Sequence, residues 1–187
     1  MLWNLIVELF VCLVPRKQRY ETRRFLRSLW NYLHIKSKAA KVGSNFRCGH
    51  GYACNVSKRT YIDDYVSIGS CFVMGSGNFY IGRNTQIGPL LVVATDNHNY
   101  KGDAIPFDKK AVLKDVRIGE NCWIGLNVTL LPGTTIGEGA IIQAGSVVHG
   151  EIPPLAIAGG NPAKVFTYRD KEHYEKLKAE DKIYAKS

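Results

Sequence analysis

The sequence predicts an all-β repeat fold, a parallel β-helix, and three observations carry that expectation. Aliphatic residues return every six positions in long runs: Ile62, Ile68 and Met74, then Ile81, Ile87 and Val93, then Ile118, Ile124, Leu130, Ile136, Ile142 and Val148. Glycine commonly follows them, as in IGENCW and IGLNVT, and 18 of the 187 residues are Gly. The fifth place of each unit is mostly small or apolar, as at Val66, Phe72, Thr85, Leu91, Cys122, Val128, Thr134, Ala140, Ser146 and Ile152. A period of six fits neither an α-helix nor an alternating strand. It fits a coil in which each unit is one short strand and one corner. Three units make a turn of about 18 residues, and turns stack at roughly the 4.8 Å spacing of paired strands. The leading aliphatic residue then points inward on every face, and glycine permits tight corners.

Ahead of the coil lies a basic, helical N-terminal segment, residues 1–41. Its first 15 residues, MLWNLIVELFVCLVP, are broken only by Asn4 and Glu8. A spanning helix needs about 20 apolar residues, so this run is too short. A secretory signal has its basic residues before the apolar run, whereas RKQRYETRR comes after it. The run predicts membrane contact or a surface for self-association. From Glu21 the spacing is helical, with Phe25, Leu26, Leu29, Trp30 and Leu33 in one stripe and Arg23, Arg24 and Arg27 beside it. Such a helix either lies in a membrane interface or packs on the end of the domain. Both readings stand at this point.

Charge is concentrated in the same segment. Between positions 16 and 41 there are nine Lys or Arg and one acid, Glu21, so +8 of the net +9 lies there. Partners for such a surface are nucleic acid, acidic lipid or an anionic glycan precursor. Nucleic acid is set aside, since the rest of the chain is near neutral and carries no reading motif. Cys12, Cys48, Cys54, Cys71 and Cys122 form no CxxC pair. Their number is odd, which predicts free thiols and a cytoplasmic location.

The coil domain spans residues 42–169. One extra residue, Tyr80, separates its first run of units from the second. The unit VATDNH ends at His98, a loop over 99–115 leaves the coil there, and the coil re-enters at Ile118. A loop excluded from a prism projects from it, so His98 stands at a rim. The tail, 170–187, mixes charges with Tyr174, Leu177 and Ile183, and predicts a helix that covers the open C-terminal end.

The run CWIGLNVTLLPGTTIGEGAIIQAGSVVHGEIPPLAIAGGNPAKV, residues 122–165, resembles the hexapeptide-repeat acyltransferases, in the branch of galactoside, maltose and polysaccharide O-acetyltransferases. The resemblance covers residues 42–169. It rests on the histidine before an extruded loop, the WIG step at Trp123 and the GGNPAKV ending. It implies a left-handed coil, although parallel crossovers are in general right-handed, and a homotrimer whose loop reaches over a neighbouring subunit.

The resemblance makes His98 the catalytic base. A hydroxyl attacks a thioester poorly, and a neutral imidazole can take its proton as attack proceeds. No acyl-enzyme is needed. Without the family, a satisfied corner histidine would be an equal reading. Asn97 or Asp96 is a candidate to orient the ring, and Trp123 to pack over the cleft. Acetyl-CoA is the implied co-substrate, and its contacts carry over by position to Leu126, Ala144, His149 and Gly150. A threonine–lysine pair of the family is replaced here by His149 and Gly150. Lys164 and Arg169 are candidates to meet phosphates. For the acceptor, Ser76, Asn78, Asn84 and Tyr100 are candidate hydroxyl partners. No metal is expected. The β-helical carbonic anhydrases need a close histidine pair, and between His98 and His149 there is none, while His50 lies far earlier. His34 and His173 read as solvated.

These features predict an acetyl-CoA-dependent O-acetyltransferase acting on a sugar hydroxyl in cell-surface polysaccharide biosynthesis, with peripheral membrane contact through residues 1–35 at the inner face of the cytoplasmic membrane. Two alternatives use the same fold: an antibiotic O-acetyltransferase and an amino-sugar N-acetyltransferase. A third, of another class, is a β-helical scaffold without turnover.

Overall fold

The computed structural model describes residues 2–49 and 54–186; His50 lies outside them. The chain winds into a parallel β-solenoid of about six turns, of the left-handed hexapeptide type. Three sheets form its faces. The first stacks Lys41–Val42, Thr60–Ile62, Phe79–Ile81, Val116–Ile118, Thr135–Ile136 and Glu151–Ile152. The second stacks Arg47–Cys48, Ser67–Ile68, Gln86–Ile87, Trp123–Ile124, Ile141–Ile142 and Ala156–Gly160. The third stacks Cys71–Met74, Leu91–Ala94, Thr129–Leu130 and Val147–Val148.

The register places like on like. Ile62, Ile81, Ile118, Ile136 and Ile152 pair in sequence up the first face. Ile68, Ile87, Ile124 and Ile142 do so on the second, and Val73, Val93, Leu130 and Val148 on the third. All are buried, so the core is a narrow column of branched aliphatic side chains. Polar residues at the fifth place bond to backbone rather than to water: Thr85 Oγ1 donates to Gly119 O at 2.8 Å and Ser146 Oγ to Gln143 O at 2.7 Å. That removes the cost of burying a hydroxyl.

The six-residue frame slips at two places. At the second, Ile152 takes the leading place opposite Ile136 only four residues after Val148; the first is at Val73. Met74 and Phe72, expected inside, are exposed, while Val73 and Cys71 are buried. The side from Ile68 to the third face is therefore one residue short. The following passage through Gly77 is long, and the insertion lies there rather than at Tyr80. Gly77 presses on the next turn, where a Cβ would stand 2.4 Å from Thr95 O. Only glycine fits that approach.

Two helices close the N-terminal end. Helix α1 is Leu2–Cys12 and helix α2 is Arg19–Lys38. The first turn of a coil has carbonyls with no strand below them, and each needs a donor. Helix α2 supplies two: Ser28 Oγ donates to Cys48 O and Asn31 Nδ2 to Gly49 O, both at 2.8 Å. Ile35 is fully buried and Tyr32 stacks on Phe46. The helix packs on the domain end through Ser28, Asn31, Tyr32 and Ile35, whereas Phe25, Leu29, Trp30 and Leu33 of the expected stripe stay exposed. Helix α1 lies on α2, burying Val7 and Val11, and Glu8 binds Arg23 at 2.6 Å. It turns Leu5, Ile6, Leu9 and Phe10 outward, all exposed, as is Leu13 just past its end. No described helix is long and apolar enough to cross a membrane.

The tail departs from expectation. Helix α3, Lys171–Ala179, does not cover the C-terminal end. That free sheet edge is taken by Ala163–Tyr168, which folds back antiparallel on Ala156–Gly160. The tail instead runs down one corner of the prism. Arg169 Nε donates to Gly139 O at 2.7 Å, and Tyr174 Oη donates to Glu138 Oε1 at 2.8 Å. Lys178 pairs with Glu138 at 2.5 Å, Asp181 pairs with Arg83, and Ala185 O accepts from Arg47.

Candidate active site

The excursion at His98 is a β-hairpin rather than an open loop. It begins at Asp96, three residues before the expected start. Asp96–His98 pairs antiparallel with Ala111–Leu113, His98 opposite Ala111. At its tip Asn99 Nδ2 donates to Asp108 Oδ2 at 2.8 Å, and Asp108 N to Asn99 O at 3.1 Å. This clasp folds Phe107 back onto His98. The two rings stack with centroids 3.7 Å apart and planes 7° from parallel.

The residues expected to orient the imidazole do something else. Asn97 Oδ1 accepts from His98 backbone N at 3.0 Å, and Asp96 Oδ2 accepts from Ser76 N at 2.8 Å. The ring that packs on the imidazole is Phe107. No spacing rule in the sequence marks it, because the clasp that delivers it joins side chains nine residues apart across the hairpin.

A groove of about 620 Å³ opens beside His98. Asn97, Tyr100, Lys114, His149 and Gly150 line it with His98. One chain thus brings the histidine together with the two positions that the resemblance assigns to coenzyme A, although they stand 51 and 52 residues further on (149 − 98 and 150 − 98). Their corners stack because each turn of the coil returns the chain to the same edge. Among the described residues, no group of three or more His, Cys, Asp or Glu is arranged to hold a metal ion.

Residues 115–150 match the family model for bacterial transferase hexapeptide repeats, six of them. WbbJ of Escherichia coli strain K12, a protein named for O-acetyl transfer in lipopolysaccharide biosynthesis, is 33% identical over 139 residues, covering 66% of this chain and 68% of that protein. The chain belongs to the hexapeptide-repeat acetyltransferases. Galactoside O-acetyltransferase of the same strain is 32% identical over 143 residues, covering 72% of this chain and 61% of that protein. This hexapeptide-repeat chain therefore spans about three fifths to two thirds of the length of these two relatives. A solved galactoside acetyltransferase in complex with coenzyme A shares the fold, with a TM-score of 0.61 at 22% identity, covering 92% of this chain and 81% of that one.

The other candidate residues of this acetyltransferase lie on different edges. Leu126 and Ala144 stack on the corner between the second and third faces, where Gly145 N donates to Leu126 O at 2.8 Å. Trp123 stands exposed on the second face. It lines a depression of about 560 Å³ beneath the tail, together with Asn84 and Arg169. Arg169 is engaged there with Gly139 and the Tyr174 ring. Lys164 lies across from Gly159 in the terminal antiparallel pair.

The acceptor candidates divide. Asn84 is buried, with its amide donating to Asn121 Oδ1 at 2.8 Å, and it holds a left-handed corner at φ 56°. Its amide thus holds a corner of the coil, while its Oδ1 has no hydrogen-bond partner among the described residues. Asn78 gives both its backbone N and its Nδ2 to Asp115 Oδ1, at 2.9 and 3.0 Å. Ser76 is exposed beside Asp96, and Tyr100 is exposed in the His98 groove.

Proposed function

We propose that this chain transfers an acetyl group from acetyl-CoA to a sugar hydroxyl during cell-surface polysaccharide biosynthesis, with His98 as general base. The observation that carries the reading is the groove at His98, in which a ring held flat by Phe107 shares one cavity with His149 and Gly150. The neutral imidazole takes the acceptor proton as the oxygen attacks the thioester carbonyl. The tetrahedral adduct collapses and expels the thiolate of coenzyme A, which takes the proton back from the imidazolium. Such a base contributes on the order of 10² to 10⁴ in rate. The oxyanion is met by backbone N–H groups or water.

In a homotrimer the projecting hairpin of one subunit would face the Leu126–Ala144 corner of the next. The small side chain of Ala144 suits close passage of the pantetheine arm. Ile105 at the hairpin tip is fully exposed in the single chain, and Val112 is partly so, which supports a subunit neighbour there.

The enzyme works at the inner face of the cytoplasmic membrane. Support comes from α1, whose outer face carries four exposed apolar side chains, with Leu13 just past its end and Arg16 and Lys17 in the turn after it. Apolar burial plus attraction to anionic lipid is how interfacial helices bind. Replacing Leu9 and Phe10 by Glu should abolish sedimentation with phosphatidylglycerol vesicles and spare turnover of a soluble acceptor. A double variant that still sediments refutes the membrane assignment.

The experiment for the activity is release of free thiol from acetyl-CoA against a panel of sugars, sugar nucleotides and crude glycan precursors. Acceptor-dependent release is the expected result. Neither release nor coenzyme A binding would overturn the enzyme and leave a scaffold.

A further inference from the structure

Three of the five cysteines converge at the N-terminal end of the coil. Cys48 ends the strand Arg47–Cys48 on the second face, and Cys71 opens the strand Cys71–Met74 on the third. Cys54 stands next to the Asn55 bridge to Phe72. Cys48 Sγ and Cys54 Sγ are 3.6 Å apart, and Cys54 is also hydrogen-bonded to Cys71. The other two thiols are placed differently. Cys12 is exposed on α1, whereas Cys122 is buried and donates to Gly137 O at 3.1 Å. Burial pushes the Cys122 thiol up to about 12.

The coil imposes the contact between Cys48 and Cys54. Gly49 N donates to Ile68 O at 2.8 Å, and a Cβ at Gly49 would stand 2.2 Å from Gly69 O, so the chain after Cys48 lies tight on the next turn. On the other side, Asn55 N donates to Cys71 O at 2.8 Å and Val73 N to Asn55 O at 2.9 Å. Both cysteines are therefore held on paired backbone. A disulfide needs its sulfurs at about 2.05 Å, roughly 1.5 Å closer than these two stand, a gap that rotation of two side chains can close.

Chemistry and access favour the same pair. When the cluster gives up one proton, hydrogen bonds from Cys48 and Cys71 hold the Cys54 thiol below its ordinary value, and those two donors are raised in turn. The thiolate is the reactive form. Cys54 and Cys71 are buried, but Cys48 is half-buried and lines a groove of about 520 Å³ beside α2, together with Ser28, Leu29, Tyr32 and Phe46. An oxidant little larger than water reaches the cluster by that route.

We propose that Cys48 and Cys54 form a modification site, at which hydrogen peroxide converts two thiols into one reversible disulfide. One sulfur attacks peroxide; the S–O bond forms as the O–O bond breaks, and water leaves with the thiol proton. The second sulfur displaces the hydroxyl of that sulfenic acid, forming the S–S bond and releasing a second water. The two thiols are oxidised and peroxide is reduced. A dithiol reverses the step by exchange. In a compartment that keeps thiols reduced, such a bond is transient and responds to oxidant.

The test treats the reduced full chain with hydrogen peroxide at neutral pH, blocks the remaining thiols in denaturant and reads the tryptic peptides. Cleavage after Arg47 and Lys58 places both cysteines in the peptide 48–58 and Cys71 in another. Peptide 48–58 should escape blocking at both cysteines and weigh two hydrogens less than its reduced form, and dithiothreitol should restore it. In Cys48→Ser, Cys54 should stay open to the blocking reagent at the same dose. A wild type whose peptide 48–58 is blocked at both cysteines overturns the assignment. So does a cross-link from that peptide to the one carrying Cys71, or oxygen added at Cys48 that dithiothreitol does not remove.

Discussion

Replacing Phe107 by Ala tests whether the hairpin positions His98. In the wild type the two rings overlap almost face to face at 3.7 Å, and Asn97 and Asp96 are both engaged with backbone N–H groups. The stack is thus the contact that restricts rotation of the imidazole. Aromatic pairs contribute roughly 0.5–1.5 kcal/mol beyond their burial. Phe107 is 40% exposed, so the lower part of that range applies, about 0.5–1 kcal/mol. If all of it is lost from the reactive orientation, turnover falls about two- to fivefold, since 1.36 kcal/mol is a factor of ten. Steady-state thiol release at saturating acetyl-CoA measures this directly. The fall should appear in kcat, with Phe107→Tyr retaining the wild-type value. The melting temperature should hardly move, because the substitution sits on an exposed hairpin away from the core. Wild-type kcat in Phe107→Ala would refute the positioning argument. A large drop in melting temperature would show instead that the hairpin is part of the cooperative core.

Other consequences follow from the coil and the tail. Ile124 is fully buried between Ile87 and Ile142, so Ile124→Ala should cost about 2–5 kcal/mol in urea unfolding; a loss below about 1 kcal/mol would mean that the column collapses freely around a void. Glu138 is pushed up by burial, but hydrogen bonds from Lys178 and Tyr174 outweigh this and hold its carboxyl below the usual value. Its contribution is therefore present above the ordinary carboxylate pKa and is lost as pH falls through the lowered one. Acid should loosen the tail before the coil, and Glu138→Gln should remove that step. Hydrogen exchange along 171–186 reads both, and a tail equally protected at low and neutral pH would contradict the clamp.

The coil was legible because its physics is local and repetitive. Each leading aliphatic residue except Met74 is buried, and Met74 failed because the side from Ile68 to the third face is one residue short, so that Val73 takes the inward place. The sequence left two fates open for α2; Ser28 and Asn31 anchor it to the carbonyls of Cys48 and Gly49, while most of its apolar stripe stays exposed. The tail was misplaced for a related reason. A strand satisfies the C-terminal edge, so the helix is free to follow charges down a corner. At the site, the place of His98 was readable from the broken rhythm. Phe107 was not, since a hairpin clasp brings it to the groove. Asn84 was read as a candidate hydroxyl partner, and its left-handed φ shows that it also forms a corner of the coil, which spacing does not display.

The most direct test of the account is the turnover number of His98→Ala with acetyl-CoA and an acceptor found in the panel, with coenzyme A affinity measured on the same protein. The account predicts a fall in kcat of about 10² to 10⁴ with coenzyme A binding retained. A variant that binds coenzyme A and turns over at the wild-type rate would contradict it, and would move the chemistry away from the rim where the coil's rhythm breaks.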